Sequence, residues 1–181
     1  MKRTLIAVVF VLSLMPWATL AAPPVDVTLS KNSDMSFGFL DYDGTHNGNL
    51  QLGTNGAITV NGTGMTSDNN TAAGSITVTS ASGVVEVRCT DTGKLRNANN
   101  TLDLLNAEAA INSGAPFGGG TTCQGNRKNS TPVAVVDLSS TPNPVVLIGA
   151  QMDIPAGSLV SGSYSSATGG GQAITVTITF Q

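Results

Sequence analysis

Near the C-terminus, Ile174, Val176, Ile178 and Phe180 alternate with Thr175, Thr177 and Thr179. Successive side chains of a pleated strand point to opposite faces, so this alternation predicts a core strand with one buried and one wet side. The same period of two runs through Ala57–Val60 and Ser75–Thr79. In Val84–Cys89 it places Val85, Val87 and Cys89 inward and Glu86 and Arg88 outward. Pro132–Leu138 and Pro144–Ala150 are more continuously aliphatic and read as central strands covered on both faces. Met152 and Ile154 extend the second run until Pro155, which has no N–H to give to a ladder.

Tight-turn residues separate these runs: Asn55-Gly56, Asn61-Gly62, Ser82-Gly83 and Gly169-Gly170-Gly171. Many short strands punctuated in this way predict an all-β sandwich or barrel of antiparallel strands. Asn100–Asn112 departs from the rhythm, with Leu102, Leu105 and Ala109 at near-helical spacing and Asn100 or Thr101 available as a cap. It reads either as one short helix or as an irregular excursion. The Gly-, Asn- and Thr-rich stretch Gly114–Asn129 reads as a loop pinned by Cys123.

The N-terminus carries a different pattern. Lys2 and Arg3 precede an apolar run from Thr4 to Met15, shorter than the roughly 20 residues a bilayer-crossing helix needs. Small residues at Thr19 and Ala21 predict cleavage of a signal peptide, residues 1–21, after Ala21. The chain is thus expected to be exported, without membrane insertion after cleavage. Residues 22–31 would be an N-terminal extension and residues 32–181 one β-sandwich domain.

Composition narrows the function. Charged residues make up 10% of the chain and the formal charge is −3, against about 25% charged residues in ordinary soluble domains. Neither a basic stripe for nucleic acid nor a polybasic patch for anionic lipid is present. Cys89 and Cys123 are the two cysteines. In an oxidising compartment they are most simply one disulfide, worth about 4 kcal/mol in the chain-entropy model.

Catalytic signals are thin. His46 is the single histidine, and no G-x-S-x-G elbow, P-loop or dinucleotide fingerprint occurs. The reading is therefore of no enzyme, no metal and no cofactor. Asp41 and Asp43, followed by Gly44, Asn47 and Asn49, could offer oxygens to calcium. However, His46 and Leu52 occupy the positions where an EF-hand needs glycine and glutamate. A solvated hairpin loop explains the same residues.

Several segments together resemble a known group. They are Ser36-Phe37-Gly38, Asn55–Val60, Ala73–Val78, Leu147–Met152, Gly162-Ser163-Tyr164 and the closing Ile174–Gln181. In this order the chain resembles secreted bacterial pilin-like domains, in particular the group known as domain of unknown function 4402. That group is similar to chaperone–usher fimbrial subunits. The resemblance implies an immunoglobulin-like β-sandwich lacking one strand, with Phe180 in the place of the penultimate aromatic.

It also implies a structural subunit assembling on the cell surface by donor-strand exchange. Its partners would be neighbouring copies or related subunits, served by a periplasmic chaperone and an outer-membrane usher. Val25, Val27 and Leu29 alternate with Asp26, Thr28 and Ser30 just after the expected cut. They could form a donor strand, and ten residues from Ala22 to Lys31 would reach about 33 Å. The same alternation also fits the first strand of the domain's own sheet. A different class of function, a monomeric secreted or surface module binding carbohydrate, would call for exposed aromatics. The chain has two tyrosines and five phenylalanines, and its one tryptophan, Trp17, falls in the leader.

Overall fold

The computed structural model describes residues 27–80, 82–97, 100–125, 130–159, 163–167 and 170–181. The expected signal peptide and Val25 lie outside them. The described residues are all-β, about 52% strand, with no helix. In chain order the first strands are β1 (Thr28–Ser33), β2 (Leu40–Tyr42), β3 (Gly48–Leu52), β4 (Ile58–Asn61), β5 (Met65–Ser67) and β6 (Gly74–Thr79). They are followed by β7 (Val84–Cys89), β8 (Gly93–Asn97), β9 (Asn100–Ile111), β10 (Thr121–Thr122), β11 (Ala134–Asp137), β12 (Val145–Ile154) and β13 (Val176–Phe180).

β12 is the spine of the large sheet. On one edge it pairs with β9, from Val146 opposite Ile111 to Met152 opposite Leu104. The other edge is shared: Val145–Ile148 pair with β6, and Ala150–Ile154 pair with β3. β1 lies outside β6 and β4 outside β3, while β9 carries β8 and β10 on its far edge. A second sheet has the order β11-β7-β13, and β2 and β5 form a small third one. Every strand pairing is antiparallel.

Pleating sorts the side chains as the alternation predicts. Val146, Ile148, Ala150, Met152 and Ile154 of β12 are buried, and so are Val85, Val87 and Cys89 of β7, and all belong to one core. Each large apolar side chain so buried contributes roughly 1.5–3 kcal/mol. Val176, Ile178 and Phe180 stand opposite Cys89, Val87 and Val85 in the ladder, so they share the inner face. Cys89 and Cys123 form a disulfide with Cα atoms 5.1 Å apart. It fastens β7 of the second sheet to the chain just after β10, and so to the large sheet.

Two expectations need correction. First, Asn100–Ile111 is a twelve-residue strand and not a helix. Between the Gly149–Glu108 and Gln151–Leu105 pairs, β12 advances two residues while β9 advances three. Asn106, at φ 48°, sits in this bulge. The extra residue shifts the buried set from Leu102 and Leu104 to Ala107 and Ala109. Mixed spacings of two and three then imitate a helical period.

Second, Pro132–Leu138 yields β11, an edge strand on which Val135 is 54% exposed, not a strand covered on both faces. The N-terminal alternation, which fits either a donor strand or a strand of the domain's own sheet, falls partly within the described residues: β1 lies in the large sheet. Thr28–Ser33 pair with β6 from Thr28 opposite Thr79 to Ser33 opposite Ser75, so the sheet starts within the expected 22–31 extension.

Candidate functional site

The segment leading from β1 into β2 crosses the core face of the large sheet. Its apolar positions are Met35 and Phe37, then Leu40 and Tyr42, all packed against the core. The step from odd to even positions occurs at Gly38, where φ is +72° and a Cβ would stand 2.5 Å from Asp68 Oδ1. Only glycine fits comfortably there. The step turns Phe39 outward, leaving it 78% exposed. Two backbone hydrogen bonds, Ser36 N–H to Ala72 O at 2.8 Å and Ala72 N–H to Ser36 O at 3.0 Å, hold the segment in place.

This segment forms one wall of a groove of about 1330 Å³. The floor is the core face of the large sheet, contributed by Ile76, Leu102, Leu104, Ile148 and Met152. Strand register places these residues on a single face: Met152 is paired with Leu104, Leu95 with Leu102, and Val146 with Ile76. The opposite wall comes from Tyr164 and from Ala173, Ile174 and Val176 on the approach to β13. Lys31 and Asp34 lie at the rim, joined by an exposed ion pair of 2.9 Å.

Two strand edges border this groove without a partner among the described residues. β13 pairs only with β7, and β2 pairs only with β5. One inserted strand could therefore join β11-β7-β13 to β2-β5 and complete a continuous layer over the large sheet. Unsatisfied ladder edges beside an apolar floor are the chemistry of strand addition: the backbone supplies hydrogen bonds and alternate side chains fill the floor.

The residues singled out from the sequence fall at different distances from this groove. Ile174 and Val176 line it, Ile178 packs on the core further along β13, and Phe180 is 41% exposed at the far end. Val27 is half-buried against the core, and Leu29, opposite Val78 on β1, is 47% exposed. Cys89 and Cys123 lie in the core and do not themselves line the groove, although Cys89 stands opposite Val176 of its wall.

Asp43 Oδ1 accepts hydrogen bonds from the Thr45 N–H at 2.9 Å and the Thr45 hydroxyl at 2.8 Å. These bonds hold its carboxyl below the usual range. Among the described residues, no three His, Cys, Asp or Glu side chains gather as metal ligands. The calcium candidate is, in this structure, an Asx-type turn between β2 and β3.

Sequence reasoning missed two features. The Met35–Tyr42 wall was hidden because its alternation changes phase at Gly38. Glu108 was hidden because a polar residue in a suspected helix raises no alarm. It is 3% exposed. Glu108 Oε2 accepts from Gly118 N–H at 2.9 Å and Gly120 N–H at 3.3 Å. Oε1 is sealed off without a partner among the described residues. Burial pushes the carboxyl above its ordinary range, against the pull of those backbone N–H groups.

No family model, curated protein or solved structure matches the chain. The functional reading therefore rests on the groove itself.

Proposed function

We propose that the protein is a structural, pilin-like subunit that assembles outside the cell by accepting an extended strand from a neighbouring copy or a related subunit. One observation carries this reading: the apolar groove between the free edges of β13 and β2. On this view the fold is an immunoglobulin-like sandwich whose seam is left one strand short. The donor is the N-terminal segment of the next subunit. Its Val25, Val27 and Leu29 would seat on the floor formed by Ile148, Met152 and Leu104. Burying three such side chains is worth of order 5–8 kcal/mol before ordering costs.

The leader-like N-terminus supports export, and exposed edges of this kind would call for a periplasmic chaperone before delivery to an outer-membrane usher. The scarcity of catalytic groups in the sequence fits a role filled by shape and not by chemistry.

Gel electrophoresis of the mature protein with and without boiling tests the proposal. Strand-exchanged polymers give a ladder that collapses on heating, and deleting Ala22–Ser30 removes it. A single monomer band in both lanes, at concentrations up to the solubility limit, would overturn the reading in favour of a monomeric binding module.

A further inference from the structure

The strand expected to be donated is already in use. β1 pairs with the edge of β6 through five residue pairs, yet it buries almost nothing. Thr28, Leu29, Ser30, Lys31 and Asn32 are all exposed, and only Ser33 is half-buried. Its attachment is strongest at the C-terminal end. Ser33 Oγ lies 2.8 Å from both Ala73 O and Ser75 Oγ, and a break in register separates Lys31 from Ser33. Asn32 adds a side-chain hydrogen bond to Thr77 Oγ1 at 2.8 Å, close to that anchor, and Val27 just before β1 packs on the core. A strand whose side-chain bonds to β6 cluster beside an irregularity anchored by a serine is built to peel from its N-terminal end and pivot at that anchor.

Lys31 bears on how far such a strand could enter a groove. It lies opposite Ile76, on the inward parity of β1, and ion-pairs with Asp34 at the groove rim. A solvated charge on the same parity as Leu29 cannot follow it into an apolar floor without losing its solvation. Insertion would therefore end at Ser30.

We infer that β1 has two positions: parked on β6 in the free subunit, and released from the Ser33 anchor to enter a second copy's groove on assembly. Parking covers the β6 edge, keeps Leu29 out of bulk solvent on one side, and makes release of β1 a gate on polymerisation. The inference rests on the strand-exchange reading and adds that the donor strand is held by its own subunit beforehand.

A removable clasp tests it. Ser30 and Thr77 are opposed in the ladder, so Ser30→Cys with Thr77→Cys can be oxidised to lock β1 on β6. The native disulfide is buried, so it is expected to outlast mild reduction that opens the exposed clasp. The oxidised double variant is expected to remain monomeric, with the heat-labile ladder returning on mild reduction. Thr77→Cys alone should polymerise like the parent. A ladder from the oxidised, cross-linked protein would overturn the inference while leaving strand exchange standing with another donor.

Hydrogen exchange reads the parked strand apart from assembly. The β1 amides bonded to β6 should exchange roughly 100-fold or more faster than those of β12 in the monomer, because β1 opens without global unfolding. Equal protection in the two strands would overturn the two-position strand. A parent protein that never forms a ladder, yet shows this fast exchange, would sink the assembly reading and keep the detachable β1.

Discussion

Glu108 and Gly149 face each other across the β9–β12 ladder, and both are dictated by crowding. Gly149 lies where β12 changes partner from β6 to β3. A Cβ there would meet Leu52 O at 2.3 Å. Gly149→Ala is therefore expected to cost about 2–3 kcal/mol, read from denaturant midpoints. At Glu108 the folded state raises the carboxyl pKa by burial. The folded protein thus holds the proton to higher pH than the unfolded chain. Its contribution is fully present below the unfolded value, near 4.5, and is lost as pH rises through the folded value. Glu108→Gln should flatten this part of the stability–pH profile and be neutral or stabilising by about 1 kcal/mol at pH 7, since no buried charge is left half-partnered. A profile unchanged by Glu108→Gln would show that the burial of this carboxyl has no consequence.

At the scale of elements, β9 shows how an alternating strand can be misread. Its bulge at Asn106 displaces the buried set by one position, from Leu102 and Leu104 to Ala107 and Ala109, so strict alternation breaks across it. Asn tolerates the left-handed backbone that the bulge needs, whereas a β-branched residue does not. Asn106→Val should cost about 1–2 kcal/mol and Asn106→Gly should be nearly neutral, by thermal melting. Strands without such an insertion were legible: β4, β6, β7, β12 and β13 fall within or close to their predicted runs. β11 was placed correctly along the chain but given the wrong neighbours. Its aliphatic run cannot say whether a second strand covers its outer edge.

At the scale of the whole molecule, one covalent link and one groove carry the predictions. The Cys89–Cys123 bond ties the two larger sheets at one end. Replacing both cysteines by alanine is expected to lower stability by about 4 kcal/mol, with a corresponding fall in melting temperature of the oxidised protein. Neither cysteine lines the groove, so its capacity for a strand should survive this loss in whatever fraction stays folded. A synthetic peptide spanning Ala22–Asn32 should raise the melting temperature of a variant lacking its own residues 22–30. The same peptide with Val25, Val27 and Leu29 changed to serine should not, because alternate apolar side chains supply the fit.

What residue order alone determined is local. Period-two alternation and turn chemistry specify strands, their inner faces and their ends, because the pleat and the preferred φ values act over a few residues. The cysteine pair followed from the count of two and the export expected from the leader-like N-terminus. Which strand lies beside which was decided only in three dimensions, because pairing joins residues far apart in the chain and alternation is the same whichever neighbour supplies the hydrogen bonds. The pairing of β1 with β6, the shared edge of β12 and the groove between β13 and β2 all belong to that second kind.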